Sequence, residues 1–248
     1  MDMQQEQAAG CGASSNAGAN GGGSKNLNTE AFGGFLRLIT AMATSLFLPA
    51  WTLDYWQAWM FLAVFSISVL AITVYLMKYD PKLLERRMHV GSRAENERSQ
   101  KIIQFLGAIA FIALFILPAI DHRFAWSTMP PYVVAAGDIL VALGFLIVFL
   151  VFKENTFTSA TIEVRSEQKV ISTGPYALVR HPMYIGGLVM LSGVPLALGS
   201  WWGMLMVIPM MLVIVWRLLD EELFLEKNLP GYITYRNKVK YHLVPFIW

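Results

Sequence analysis

The sequence predicts an all-α integral membrane protein of about six transmembrane helices, the last two forming a tight hairpin. Three observations point there. Apolar residues make up 56% of the 248 positions and charged ones only 15%, well below the roughly 25% charge of soluble domains. Several runs are apolar over a length that crosses a bilayer. Lys and Arg gather in alternate connections between those runs, as they do in multi-pass proteins.

The N-terminal stretch 1–30 is dominated by Gly, Ala, Ser, Asn and Gln. It has little to bury, which predicts a disordered tail. Ala8, Ala9, Gly10 and Cys11 resemble a lipoprotein cleavage site only in outline, because no basic start and apolar run precede them. The glycines at 21–23 follow no strand and lead into no Gly-Lys-Ser/Thr, so they form no phosphate loop. Cys11 is the single cysteine. That excludes an intrachain disulfide framework and a cysteine-rich zinc site, and no metal is expected. The balance of 19 basic against 17 acidic residues excludes an electrostatic nucleic-acid binder.

Residues 31–154 hold the first four predicted spans. The first, 33–51, is the weakest, with Arg37 near its start where the side chain can snorkel to the surface. The run 56–77 carries no charge; as a helix rising about 1.5 Å per residue it covers a bilayer core of about 30 Å. Runs 102–120 and 131–152 do the same, the second interrupted by Asp138 alone. The fifth run, 183–199, is shortened and bent by Pro195, and the sixth, 201–216, opens on a Trp pair suited to a membrane interface. Only Gly199 and Ser200 separate them, which predicts the helical hairpin 183–216.

Orientation follows from charge. Lys78, Lys82, Arg86, Arg87, Arg93, Arg98 and Lys101 crowd the stretch 78–101. Lys153, Arg165, Lys169 and Arg180 lie in 153–181, and further cations follow residue 216. Six spans with both termini in the cytoplasm put every basic connection inside. The 78–101 loop is then expected to be solvated and headgroup-facing.

This topology brings two polar segments to one face. In "GPYALVRHPMY", 174–184, Pro182 is suited to a first helical turn, so a helix should begin at His181 and Pro182. Arg180 and His181 then flank free backbone N–H groups at a positive helix end, a setting for a carboxylate or phosphate. His181 and Tyr184 are three apart and share a face. Beyond the sixth span, "RLLDEE" continues the helix without a breaker. Arg217 and Glu221 are four apart on one side, and Asp220, Glu221 and Glu222 follow one another directly.

With these residues in view, 155–248 resembles the isoprenylcysteine carboxyl methyltransferase family and its bacterial relatives, themselves similar to phospholipid N-methyltransferases. The resemblance rests on Gly174, Tyr176, Arg180, His181, Pro182 and Tyr184, and on Arg217, Glu221, Glu222, Tyr232, Tyr235 and the closing "LVPFIW". It implies a membrane enzyme using S-adenosylmethionine, held in a helical cytoplasmic pocket instead of on a Rossmann sheet. It places Gln168, Lys169, Val170, Ile171, Tyr176, Arg180, His181, Tyr184 and Glu221 around the cofactor. Arg217 would face the substrate, with Glu221 and Glu222 beside the chemistry. His242 stands where the bacterial relatives usually carry arginine.

The implied acceptor is a lipid or lipidated small molecule, with carboxyl O-methylation of an isoprenylcysteine-like substrate favoured. A carboxylate is ionised at neutral pH and needs no general base, whereas an amine must lose a proton. Phospholipid N-methylation is one alternative, and an NADPH-dependent reductase is another. Membrane sterol reductases, which bind NADPH, share an Arg-His-Pro turn with this region, and a non-catalytic membrane protein explains the spans but not the clustered polar face.

Overall fold

The computed structural model describes residues 20–88, 98–158 and 168–248, and no strand occurs among them. In chain order its helices are α1 (Asn20–Ala50), α2 (Trp56–Tyr79), α3 (Pro81–Met88), α4 (Arg98–Phe124), α5 (Pro131–Glu154), α6 (Pro182–Ala197), α7 (Val207–Asn228) and α8 (Tyr232–Lys238). Short 3-10 turns at Gly174–Ala177 and Trp202–Met206 precede α6 and α7. Five helices are long and apolar enough to cross a membrane: Asn26–Ala50, Trp56–Tyr79, Arg98–Phe124, Pro131–Glu154 and Trp202–Asn228. The sixth, α6, has 16 residues and reaches about 24 Å. The chain is an integral membrane protein of the expected all-α class.

Two expectations about the ends of elements are corrected. The tail predicted over 1–30 is too long, because α1 is already helical from Asn20; residues 1–19 lie outside the described residues. The reason is packing: Ala31 is buried with Leu76, Leu83, Leu84 and Phe152, and Leu27 packs against that cluster. The basic stretch 78–101 is likewise more than a solvated loop. It begins with α3, whose Leu83 and Leu84 are buried while Lys82 and Glu85 are exposed. Arg93 and Arg165 lie outside the described residues.

The main core is formed by α1, α2, α4, α5, α6 and the start of α7, around Tyr55, Phe61, Leu114, Phe115 and Leu198. One end of the bundle is tied by polar groups. Tyr55 Oη donates to the Leu198 carbonyl at 2.7 Å. Buried Asp121 accepts from Ser127 N at 2.7 Å, from Ser127 Oγ at 2.6 Å and from Ser200 Oγ. These bonds fix the short turn between α6 and α7, with Gly199 at φ 72°.

The closest packing of α6, however, is against α5. A Cβ on Gly137 would lie 2.2 Å from Ala197 N, and one on Gly144 would lie 2.6 Å from the Gly186 carbonyl oxygen. From the other side, a Cβ on Gly193 would meet the Gly137 carbonyl oxygen at 2.6 Å. Glycines seven residues apart on both helices therefore let two backbones touch, the small-residue packing typical of membrane helices.

Candidate functional site

At the bundle end opposite the Tyr55 knot, local geometry aims the motif residues into one cleft. Gly174, at φ 55°, turns the chain where a Cβ would meet the Glu154 carboxyl group at 2.8 Å. The 3-10 turn that follows presents Tyr176, whose hydroxyl accepts from Asn155 Nδ2 at 3.1 Å. Tyr235 on α8 holds that turn by donating to the Tyr176 carbonyl at 2.8 Å. Pro182 then opens α6 as its first residue, with His181 as the N-cap, in the position where a missing N–H costs nothing.

The cleft is lined by Gln168, Lys169, Val170, Ile171, Tyr176, Arg180, His181, Tyr184 and Glu221. Two stretches far apart in sequence, 168–184 and the end of α7, supply them. Tyr184 Oη donates to Glu221 Oε2 and so links α6 to α7. The His181 and Tyr184 rings lie 5.8 Å apart. His181 Nε2 is buried without a hydrogen-bond partner. Burial pushes the Tyr176 phenol up to about 12, against the pull of the Asn155 hydrogen bond; Tyr232 and Tyr235 are raised by burial as well. All three stay protonated donors at neutral pH. The cleft volume is about 100 Å³ and its mouth is open, so a ligand of nucleoside size would keep part of its surface outside.

The three successive acids diverge. Only Glu221 lines the cleft. Asp220 turns to α4, accepting from Ser99 Oγ at 2.9 Å and from Gln100 Nε2. Glu222 is 7% exposed and sits behind the wall: its Oε1 lies 2.8 Å from Arg180 Nε and its Oε2 lies 2.8 Å from His242 Nε2. His181 Nε2 is 3.9 Å from the same carboxylate, beyond hydrogen-bond reach. Burial lowers the His242 pKa, against the opposing effect of Glu222. Arg180 thus lines the cleft while its guanidinium is engaged with Glu222. The backbone adds to this clamp, since Arg180 N donates to the Tyr241 carbonyl at 2.9 Å and His181 N to the His242 carbonyl at 3.0 Å.

Arg217 lies one helical turn before Glu221, outside the cleft lining. Its Nη1 donates to Gln100 Oε1 at 3.2 Å, and its guanidinium also meets the Tyr184 hydroxyl. Arg87 of α3 joins this neighbourhood, within electrostatic reach of Tyr184, Arg217, Glu221 and Tyr176, and burial lowers its pKa. In the sequence Arg87 is marked only by its place in a basic run. Asn155, Leu225 and Leu229 line the cleft too; the leucines follow Glu221 at helical spacing of four, a signal that was there to be used.

Tested against S-adenosylmethionine, the residues fit. The cleft offers an unpartnered imidazole nitrogen, a carboxylate for an amine or hydroxyls, a lysine, and two tyrosine rings for flat or apolar parts. Residues 132–230 match the family model described as phospholipid methyltransferase. The match takes in α5 as well as α6 and α7, the two helices joined by glycines included. No curated protein is matched by the chain.

Proposed function

We propose that the chain, with its phospholipid methyltransferase domain at residues 132–230, is an S-adenosylmethionine-dependent methyltransferase acting on a lipidic acceptor from the membrane. The observation that carries this reading is the cleft itself, where 168–171, the start of α6 and Glu221 of α7 meet around Tyr184. When bound, S-adenosylmethionine supplies a methyl group already activated by its sulfonium. The protein's work is to bind, align and exclude water.

His181 and Glu221 hold polar groups of the cofactor, and Tyr176 and Tyr184 cover its flat or apolar parts. Arg217, held by Gln100 and Tyr184, orients the acceptor. A carboxylate acceptor needs no base and suits a guanidinium fork, which favours O-methylation of an isoprenylcysteine-like lipid. The family match favours a second acceptor, the amine of a phospholipid head. That amine would hand its proton to Glu221, because Asp220 and Glu222 are committed to other partners. Glu222 acts as a positioning residue: through Arg180 and His242 it holds the cleft wall. The cofactor site and both termini are assigned to the cytoplasm on the charge bias of the loops.

Titration of the detergent-solubilised protein with S-adenosylmethionine and with NADPH tests the cofactor. Binding of NADPH alone would overturn the methyltransferase reading in favour of a reductase. Labelled methyl groups transferred into membrane lipid separate the acceptors: an ester is released by mild alkali, an N-methyl group is not.

A further inference from the structure

Gln100 is fully buried in the first turn of α4, ahead of the matched residues 132–230. A buried amide is costly unless its donor and its acceptor are both bonded, and here both reach across to α7. Gln100 Oε1 accepts from Arg217 Nη1 at 3.2 Å, and Gln100 Nε2 donates to Asp220 Oδ2. The partners fix which end of the amide is which, because a guanidinium only donates and a carboxylate only accepts. Ser99 Oγ brings a second bond from α4 to the same carboxylate oxygen, at 2.9 Å.

Arg217 has two acids within reach along its own helix. Asp220 follows it by three residues and Glu221 by four, the two spacings at which helical side chains of opposite charge meet. α7 by itself does not decide between them. Positions 220 and 221 point about 100° apart, so a guanidinium drawn fully onto Asp220 is drawn away from the Glu221 side. On that side stands the Tyr184 hydroxyl, which donates to Glu221 Oε2 and meets the Arg217 guanidinium. On the other side, α4 engages Asp220 with two donors and offers Arg217 a neutral acceptor in place of a charged one.

We propose that Gln100 is a positioning residue of the acceptor site: by holding Asp220 against α4 it keeps Arg217 from closing onto its own helix and leaves the guanidinium turned to Tyr184 and the acceptor. This rests on the reading of Arg217 as the cation that orients the acceptor. It carries the working unit of the enzyme back to α4, before the matched domain begins.

Transfer of labelled methyl groups from S-adenosylmethionine into membrane lipid by the full-length protein in detergent tests it, with cofactor affinity measured on the same preparations. Gln100→Ala should lower turnover at least about tenfold and leave cofactor affinity unchanged, because the misplaced group acts only on the acceptor. Asp220→Asn alone should stay near the wild type. Joined to Gln100→Ala, it should restore most of the lost turnover, since no carboxylate at position 220 is left to capture Arg217. A merely structural Gln100 gives the opposite order: the double variant, with more bonds lost, is no more active than Gln100→Ala. Gln100→Met, which keeps the length of the side chain, takes the place of Gln100→Ala if that variant is not monodisperse. Full turnover in the position-100 variant, no recovery in the double variant, or collapse in Asp220→Asn alone overturns the role of Gln100 and leaves the methyltransferase reading standing. A wild type that neither binds S-adenosylmethionine nor transfers methyl groups sinks that reading, and this role with it.

Discussion

His242 Nε2 stands 2.8 Å from Glu222 Oε2, so the segment after α8 is pinned to α7 through an imidazole. Burial depresses the His242 pKa below its ordinary value near 6.5. Below that value the unfolded chain binds a proton more readily than the folded one, so stability should fall with pH from about 6.5 through the folded pKa. Within this window Glu222 also faces Arg180 Nε at 2.8 Å and His181 Nε2 at 3.9 Å. The thermal midpoint of the wild type in detergent should drop across it, and His242→Gln should flatten the slope. Equal slopes would remove His242 as the cause.

Glu222→Gln keeps the volume and deletes the charge that faces Arg180, itself 7% exposed. Breaking a buried pair by removing one partner costs about 3–5 kcal/mol. A clear fall in thermal midpoint is expected, with earlier proteolytic cleavage around 241–248. If stability holds and only turnover collapses, Glu222 is catalytic and its positioning role is wrong.

Tyr184→Phe and Glu221→Gln each remove one side of the hydrogen bond between α6 and α7. Hydrogen bonds to charged groups contribute about 1.5–3 kcal/mol. Glu221→Gln should weaken S-adenosylmethionine binding about tenfold or more, and Tyr184→Phe should do so less, because the ring remains. Isothermal titration on folded preparations decides it; unchanged affinity in both would leave the cleft without its assigned ligand.

Arg217→Lys keeps the charge beside Gln100 and loses the planar fork. Cofactor affinity should survive while turnover falls about tenfold, the equivalent of 1.36 kcal/mol at the transition state. Full turnover in this variant would shift the acceptor toward an amine-headed lipid.

Gly144→Leu places a side chain where the Gly186 backbone already stands. Overpacking costs typically 1–3 kcal/mol, and the obstacle here is main chain, so loss of the monodisperse protein is expected on size-exclusion chromatography. Gly187, on the same helix as Gly186, has nothing within 4 Å of a built Cβ. Gly187→Ala should be tolerated.

The cleft was legible where its chemistry is local in sequence. Tyr176, Arg180, His181 and Tyr184 fall within one turn and one helix start, and Pro182 announces that start. Glu221 and Glu222 show where sequence reading stops. Adjacent positions on a helix point about 100° apart, and only packing reveals that one faces the cleft and the other His242. Arg87 was illegible for a different reason: a cation in a basic run looks solvated until α3 folds its Leu83 and Leu84 inward. The hairpin of α6 and α7 was read from its short turn, while the tighter union with α5 spans a long separation in the chain. Its trace was the spacing of Gly137 from Gly144 and of Gly186 from Gly193.

That union also divides the labour of motion. Helices whose main chains touch through glycine cannot slide or tilt independently without prying atoms apart, so α5 and α6 behave as one rigid plate carrying His181 and Tyr184. Any breathing that admits a ligand must then come from the flanks, from α1 with α3 on one side and α7 with α8 on the other. Amide exchange should accordingly be slowest along 137–144 and 186–193, and the flanking helices should set the pace at which ligands come and go.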